Sequence, residues 1–241
     1  MGFGMSTDWA AKRERGFSVP HPPVSATLFR ILEDAIVEAW GILHSAPPRP
    51  FDPKTAKEPD FTTHLHEILE DHLLDSSVVE GFTGEVFSSI QRPEVRNHDG
   101  KKTRKRPDMV AFLADRPDVR RSQDGIFIEC KAVDAAPSRL KDYCDDGIVR
   151  FIDGDYAWAM TEALMFGYNT VHQNPSAALI EPFRLWSKSV RSRRKPRDCG
   201  ISPHRPPIAI TLHNRSFHLN GRQAPPITLR HLWLVAPGLL R

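Results

Sequence analysis

The stretch Arg106–Lys131, RPDMVAFLADRPDVRRSQDGIFIECK, constrains this chain more than any other. Two apolar runs, Met109 to Ala114 and Gly125 to Cys130, flank a polar segment ending in the turn-forming pair Asp124-Gly125. That pattern predicts a β-hairpin. Partner positions across an antiparallel ribbon have a constant sum, so a loop centred near 119–120 sets Asp108 across from Glu129 to Lys131. Side chains alternate along a strand, so Glu129 and Lys131 share a face while Cys130 points to the other. Two carboxylates and an ammonium are thereby gathered at one end of the ribbon.

Desolvated carboxylates repel one another and favour protonation, so such a cluster is costly to bury without a compensating cation. Mg²⁺ suits the place: it takes oxygen ligands, needs only one or two carboxylates plus waters, and keeps positions for phosphate oxygens. Mn²⁺ is expected to substitute. Asp108 and Glu129 are the candidate metal ligands, with the Cys130 carbonyl as a third. Lys131 would orient or help deprotonate an attacking water and stabilise charge on a phosphate.

Pro107-Asp108 followed by Glu129-Cys130-Lys131 resembles the signature of the PD-(D/E)XK nuclease superfamily. The resemblance implies an α/β, restriction-endonuclease-like fold, a mixed β-sheet flanked by helices, with a core over about 62–236. It also implies Mg²⁺-dependent hydrolysis of nucleic-acid phosphodiesters, with Asp108, Glu129 and Lys131 as the catalytic set and double-stranded DNA as the expected substrate. Bacterial defence or restriction is its natural context, with recombination or repair second. The residues themselves leave open DNA against RNA and endo- against exonuclease action. A module on the same fold that grips nucleic acid or a protein without cutting is the alternative reading, and the intact Asp, Glu and Lys count against it. Two decoys fail: Pro117-Asp118 would sit at the hairpin tip, and Asp52-Pro53-Lys54 lies in a Pro-rich segment unsuited to a central strand.

The division expected along the chain is an N-terminal arm, helix and loop over 1–61, then a nuclease core over 62–241. Apolar spacing predicts a helix over 25–44, and prolines make 46–60 a loop. A second helix is expected from Thr62 or Thr63 to Asp75, with Leu65, Ile68, Leu69 and Leu73 as its stripe. In the resembled superfamily a helix in this place often adds an acidic residue to the metal site. Glu67 and Glu70 are the candidates, and Glu70 is the one chosen. Val78–Val95 reads as a first strand or strand pair, 132–147 as a loop, and 155–166 as a helix ending before Gly167. The arrangement from Gly147 through Arg150-Phe151 and Gly154 to Tyr156–Met160 resembles a group of uncharacterised bacterial restriction-endonuclease-like proteins. Arg150 is placed near a phosphate, with pairing to Asp153 or Asp155 as the alternative. Ile208–Leu212 and Ile227–Val235 read as closing strands, and His204, His213 and His231 as packed or solvated.

Net charge is only +3, but its sign is unevenly spread. Lys101, Lys102, Arg104, Lys105 and Arg106 form one basic block, and a second, containing Arg193 and Arg194, falls in the Pro-rich stretch 187–207. With Arg150 these are the candidate nucleic-acid contacts. Three irregularly spaced cysteines imply no disulfide framework, and no apolar run is long enough to span a bilayer. A cytoplasmic protein without a membrane partner is expected, as a homodimer or a subunit of a multi-gene system.

Overall fold

The computed structural model describes residues 19–53, 55–114, 116, 119, 121–134, 136–170, 174–186, 198–202 and 208–235. Arg193, Arg194, His204 and the Pro117-Asp118 decoy lie outside them.

Helix α1 (Ala26–Ser45) begins where Ser25 Oγ accepts the Leu28 amide at 3.3 Å, satisfying one free donor of the first turn. Phe29, Leu32, Ile36, Trp40 and Leu43 recur every three or four residues and are buried. Helix α2 (Glu58–Glu67) starts earlier than the Thr62 expected, because Pro59 in its first turn has no amide that needs a partner there. It continues as a π-helical turn, Ile68–Leu73, and its stripe of Leu65, Ile68, Leu69 and Leu73 is buried.

Strands β1 (Phe87–Gln91), β2 (Met109–Leu113) and β3 (Ile126–Ala132) follow. Then α3 (Pro137–Asp142) runs through a π-helical turn, Tyr143–Ile148, into α4 (Val149–Ile152). The rest is β4 (Glu162–Thr170), α5 (Pro175–Trp186), β5 (Asp198–Ser202), β6 (Ile208–His213), the small pair β7 (His218–Leu219) and β8 (Arg222–Gln223), and β9 (Ile227–Val235). Among the described residues, seven strands form one mixed sheet in the order β1-β2-β3-β4-β9-β6-β5. The central pairs β3–β4 and β4–β9 are parallel, and the outer pairs are antiparallel.

Two expectations are corrected, and one constraint explains both. The stretch 132–147, expected to be a loop, is mostly helical, and 155–166, expected to be a helix, is a loop followed by the start of β4. Parallel β3 and β4 can be joined only by a crossover, which α3 and α4 supply. β4 then lies between two parallel neighbours, and Ala163, Leu164, Met165 and Phe166 are buried in succession on both faces. This burial overrides the helix preference of Ala, Leu and Met. Gly167 does not end a helix. It lets the Trp233 indole of the neighbouring strand pass, and a Cβ there would meet Trp233 Cδ1 at 2.5 Å. Val78–Val95 yields one strand, β1, preceded by turns.

Neighbouring residues of β9 show how the layers lie. Arg230 reaches α1, where its guanidinium holds buried Glu33 through Nε at 2.6 Å and Nη2 at 3.1 Å. His231 faces the other way, onto Tyr143 of the crossover, at 2.9 Å between Nδ1 and the hydroxyl. Phe166 turns to Trp40 and Phe61, so α1 and α2 cover one face and the crossover the other. At the edge, Ile90 of β1 offers its amide to Glu70 and its carbonyl to His66 Nε2 at 3.0 Å. None of the described helices is long and apolar enough to cross a membrane.

Gly167→Ala is expected to cost about 1–3 kcal/mol, because the Trp233 ring is buried against Tyr143 of the crossover and has little room to retreat. A thermal melt against wild type measures it.

Candidate functional site

Met109 pairs with Ile128, Val110 with Phe127 and Ala111 with Ile126, a register that carries Asp108 to the level of Glu129. Asp108 Oδ2 accepts the Cys130 amide at 2.7 Å, which fixes the carboxylate against the end of β3. Glu129 and Lys131 lie on one face as the alternation requires, with Lys131 Nζ 3.1 Å from Glu129 Oε1. The intervening Cys130 side chain is fully buried, and burial pushes its thiol well above the usual range.

Three further residues close on this group. Glu58, the first residue of α2, holds Lys131 Nζ at 2.5 Å. Arg150 of α4 places Nη1 2.9 Å from Glu129 Oε1. The Tyr156 hydroxyl donates to Glu129 Oε2. The loop bearing Tyr156 is itself pinned: buried Arg215 donates to the carbonyls of Trp158 at 2.7 Å, Ala157 at 3.2 Å and Met160. Burial lowers the Arg215 guanidinium to about 9, and its partners here are carbonyl dipoles rather than a carboxylate.

Glu58 and Tyr156 are the members that sequence reasoning missed. The signal for Glu58 was present, since Pro59 and the acidic pair Glu58 and Asp60 mark a first helical turn. Tyr156 had none, because its place depends on the crossover. Glu70, expected to supply the helix carboxylate, turns instead to the Ile90 amide at the sheet edge, and Glu67 pairs with His64 at 2.8 Å. Arg150 pairs with Glu129 and with neither Asp153 nor Asp155.

The first basic block is largely neutralised within the protein. Lys101 meets Asp99 at 3.1 Å, Lys102 and Lys105 share Asp155 at 3.2 and 2.6 Å, and Arg106 pairs with Glu94. Arg104 is exposed, and its charge acts on Glu94. Among the described residues, the cations that face the hairpin carboxylates are Lys131 and Arg150. His213 and His231 are buried in a hydrogen-bonded chain with Thr211 and Tyr143.

The electrostatics follow from burial and the crowding of charges. Burial, then the Asp108 charge, pushes Glu129 up to about 7, against the opposing pull of Lys131 and Arg150. Burial also raises Asp108, although Lys131 and the Cys130 amide act to lower it. Burial alone would lower Lys131, but Glu129, Asp108 and Glu58 outweigh it and keep the ammonium charged. Among the described residues no three His, Cys, Asp or Glu side chains converge closely enough to hold a metal by themselves. A separate cavity of about 520 Å³ lies over β1 and β2, lined by Ser89, Gln91, Phe112, Arg116 and Asp124 among others, and the cluster does not border it.

No family model matches the chain, and no curated protein or solved structure matches it.

Between pH 4.5 and about 7 the folded protein keeps on Glu129 a proton that the unfolded chain releases, so stability falls as pH rises through that window. The loss is of order 3 kcal/mol, several degrees in a melt. Glu129→Gln is expected to flatten the melting profile over that range and to melt above wild type at pH 8.

Proposed function

We propose that this protein is a metal-dependent nuclease of the restriction-endonuclease-like kind, hydrolysing phosphodiester bonds, with double-stranded DNA as the substrate. The observation that carries the reading is the convergence of Asp108, Glu129 and Lys131 at the end of β3, one of three parallel strands. The crevice beyond the carboxyl ends of parallel strands is where open α/β sheets bind their ligands.

The donors suit Mg²⁺ or Mn²⁺. They are the carboxylate oxygens of Asp108, which rests on the Cys130 amide, and of Glu129, whose Oε1 is buried without a directed hydrogen bond; the Cys130 carbonyl is the third ligand proposed. Two carboxylates are too few for a closed protein cage and suit an ion that keeps waters and takes substrate oxygens. Such an ion supplies polarisation of a phosphoryl oxygen and an acidified water. Asp108 stays anchored by the Cys130 amide, Tyr156 orients Glu129, and Lys131, shared between Glu58 and Glu129, sits where it can hold an attacking water and neutralise charge on phosphate. Buried free thiols at Cys130 and Cys144 agree with a reducing cytoplasm. Defence or restriction is the proposed context.

Calorimetric titration of Mg²⁺ or Mn²⁺ into wild type and Asp108→Ala, with and without a short uncleavable duplex, tests the reading. Binding that is lost in the variant and tightened by the duplex is the expected result. No metal binding in wild type, with duplex still bound, would make the protein a binding module. On a cleavable duplex, Lys131→Ala is expected to slow hydrolysis by about 10²–10⁴-fold while metal binding persists.

A further inference from the structure

Around Glu129 the charges are set so that an incoming cation must disturb them. Oε2 is occupied by the Tyr156 hydroxyl. Oε1 is buried and has Lys131 Nζ at 3.1 Å and Arg150 Nη1 at 2.9 Å, yet neither contact has the direction of a hydrogen bond. These are charge contacts occupying space rather than bonds saturating an acceptor.

The two cations are held unequally. Lys131 rises from the interior strand β3, its side chain is 10% exposed, and Glu58 gives it a second carboxylate at 2.5 Å. Arg150 rises from the four-residue helix α4, its side chain is 38% exposed, and beside Glu129, its carboxylate partner among the described residues, it has only the neutral Tyr156 hydroxyl where Lys131 has a second carboxylate. A dication reaching Oε1 would repel both positive charges at short range in a poorly solvated place. Arg150 has the weaker hold and the open path to solvent.

We propose that Arg150 and a divalent cation exclude each other at Glu129 Oε1, so that metal loading frees the Arg150 guanidinium to clamp a phosphate of the nucleic acid beside the site. This rests on the metal-dependent reading above and adds an order of events. Before loading, Arg150 is held at Glu129 Oε1 and is spent. After loading, a planar donor suited to bidentate phosphate contact is released next to the metal. Metal and nucleic acid then bind cooperatively, each raising the affinity for the other by the same factor.

The test uses the full chain, Ca²⁺ as a probe that leaves the duplex intact, and calorimetry on wild type, Arg150→Ala and Arg150→Gln. In wild type, Ca²⁺ and the duplex are expected to tighten each other's binding by about 5–150-fold. In both variants Ca²⁺ alone should bind more tightly than in wild type, because its competitor is gone, and the mutual tightening should shrink towards unity. Arg150→Gln retains a polar side chain and decides the matter if the alanine variant melts too low to titrate. Ca²⁺ affinity equal to or weaker than wild type in the variants, or cooperativity that survives in them, overturns the exchange and leaves the metal site standing. No Ca²⁺ binding to wild type, with or without duplex, overturns the metal reading itself and the exchange with it.

Discussion

Glu129 is a fully buried carboxylate, and the surrounding structure is arranged around the difficulty of keeping it there. A carboxylate removed from water must be neutralised by a proton or by nearby cations and donors. Lys131, Arg150 and Tyr156 meet that need from three different elements: the same strand, the crossover helix and the loop before β4. Two of them are held in turn. Glu58 holds Lys131, and Arg215 pins the loop that bears Tyr156. A single side chain therefore ties together both faces of the sheet, because Glu58 belongs to the α2 layer and Arg150 to the crossover layer.

That arrangement shows which parts of the molecule were legible in the sequence. The hairpin was, because two short apolar runs closed by a turn signal fix register locally, and register alone carries Asp108 to Glu129. Helix α1 and the closing strands were legible for the same local reason. The segment from Ala132 to Thr170 was not. Its pattern is set by the parallel pairing of β3 with β4, which joins residues more than thirty positions apart, and an apolar strand buried on both faces has no alternation to reveal it. Missing the crossover also meant missing what it delivers: Arg150 against Glu129, and Tyr156 beneath it.

The helix carboxylate illustrates a smaller failure of the same kind. Glu70 and Glu58 both belong to one continuous helical rod, and helical phase alone does not say which end of it approaches the hairpin. The extra length from Glu58 to Phe61, together with the π turn that follows, sets Glu58 on Lys131 and leaves Glu70 over the sheet edge. The basic block was legible as charge but not as pairing. Asp155, on the loop that carries Tyr156, absorbs two of its lysines and ties the block to the site.

The covering of Ile90 has a consequence for self-association. An outermost strand ordinarily presents free peptide groups on which another chain can add itself as an eighth strand. Here the outward amide and carbonyl of one peptide residue in mid-strand are both occupied by side chains one helical turn apart, Glu70 and His66. A foreign strand docking along β1 would have to break both contacts before gaining its own, so this border resists templated stacking. Pairing of two copies through this side would have to proceed through side chains rather than by extending the sheet.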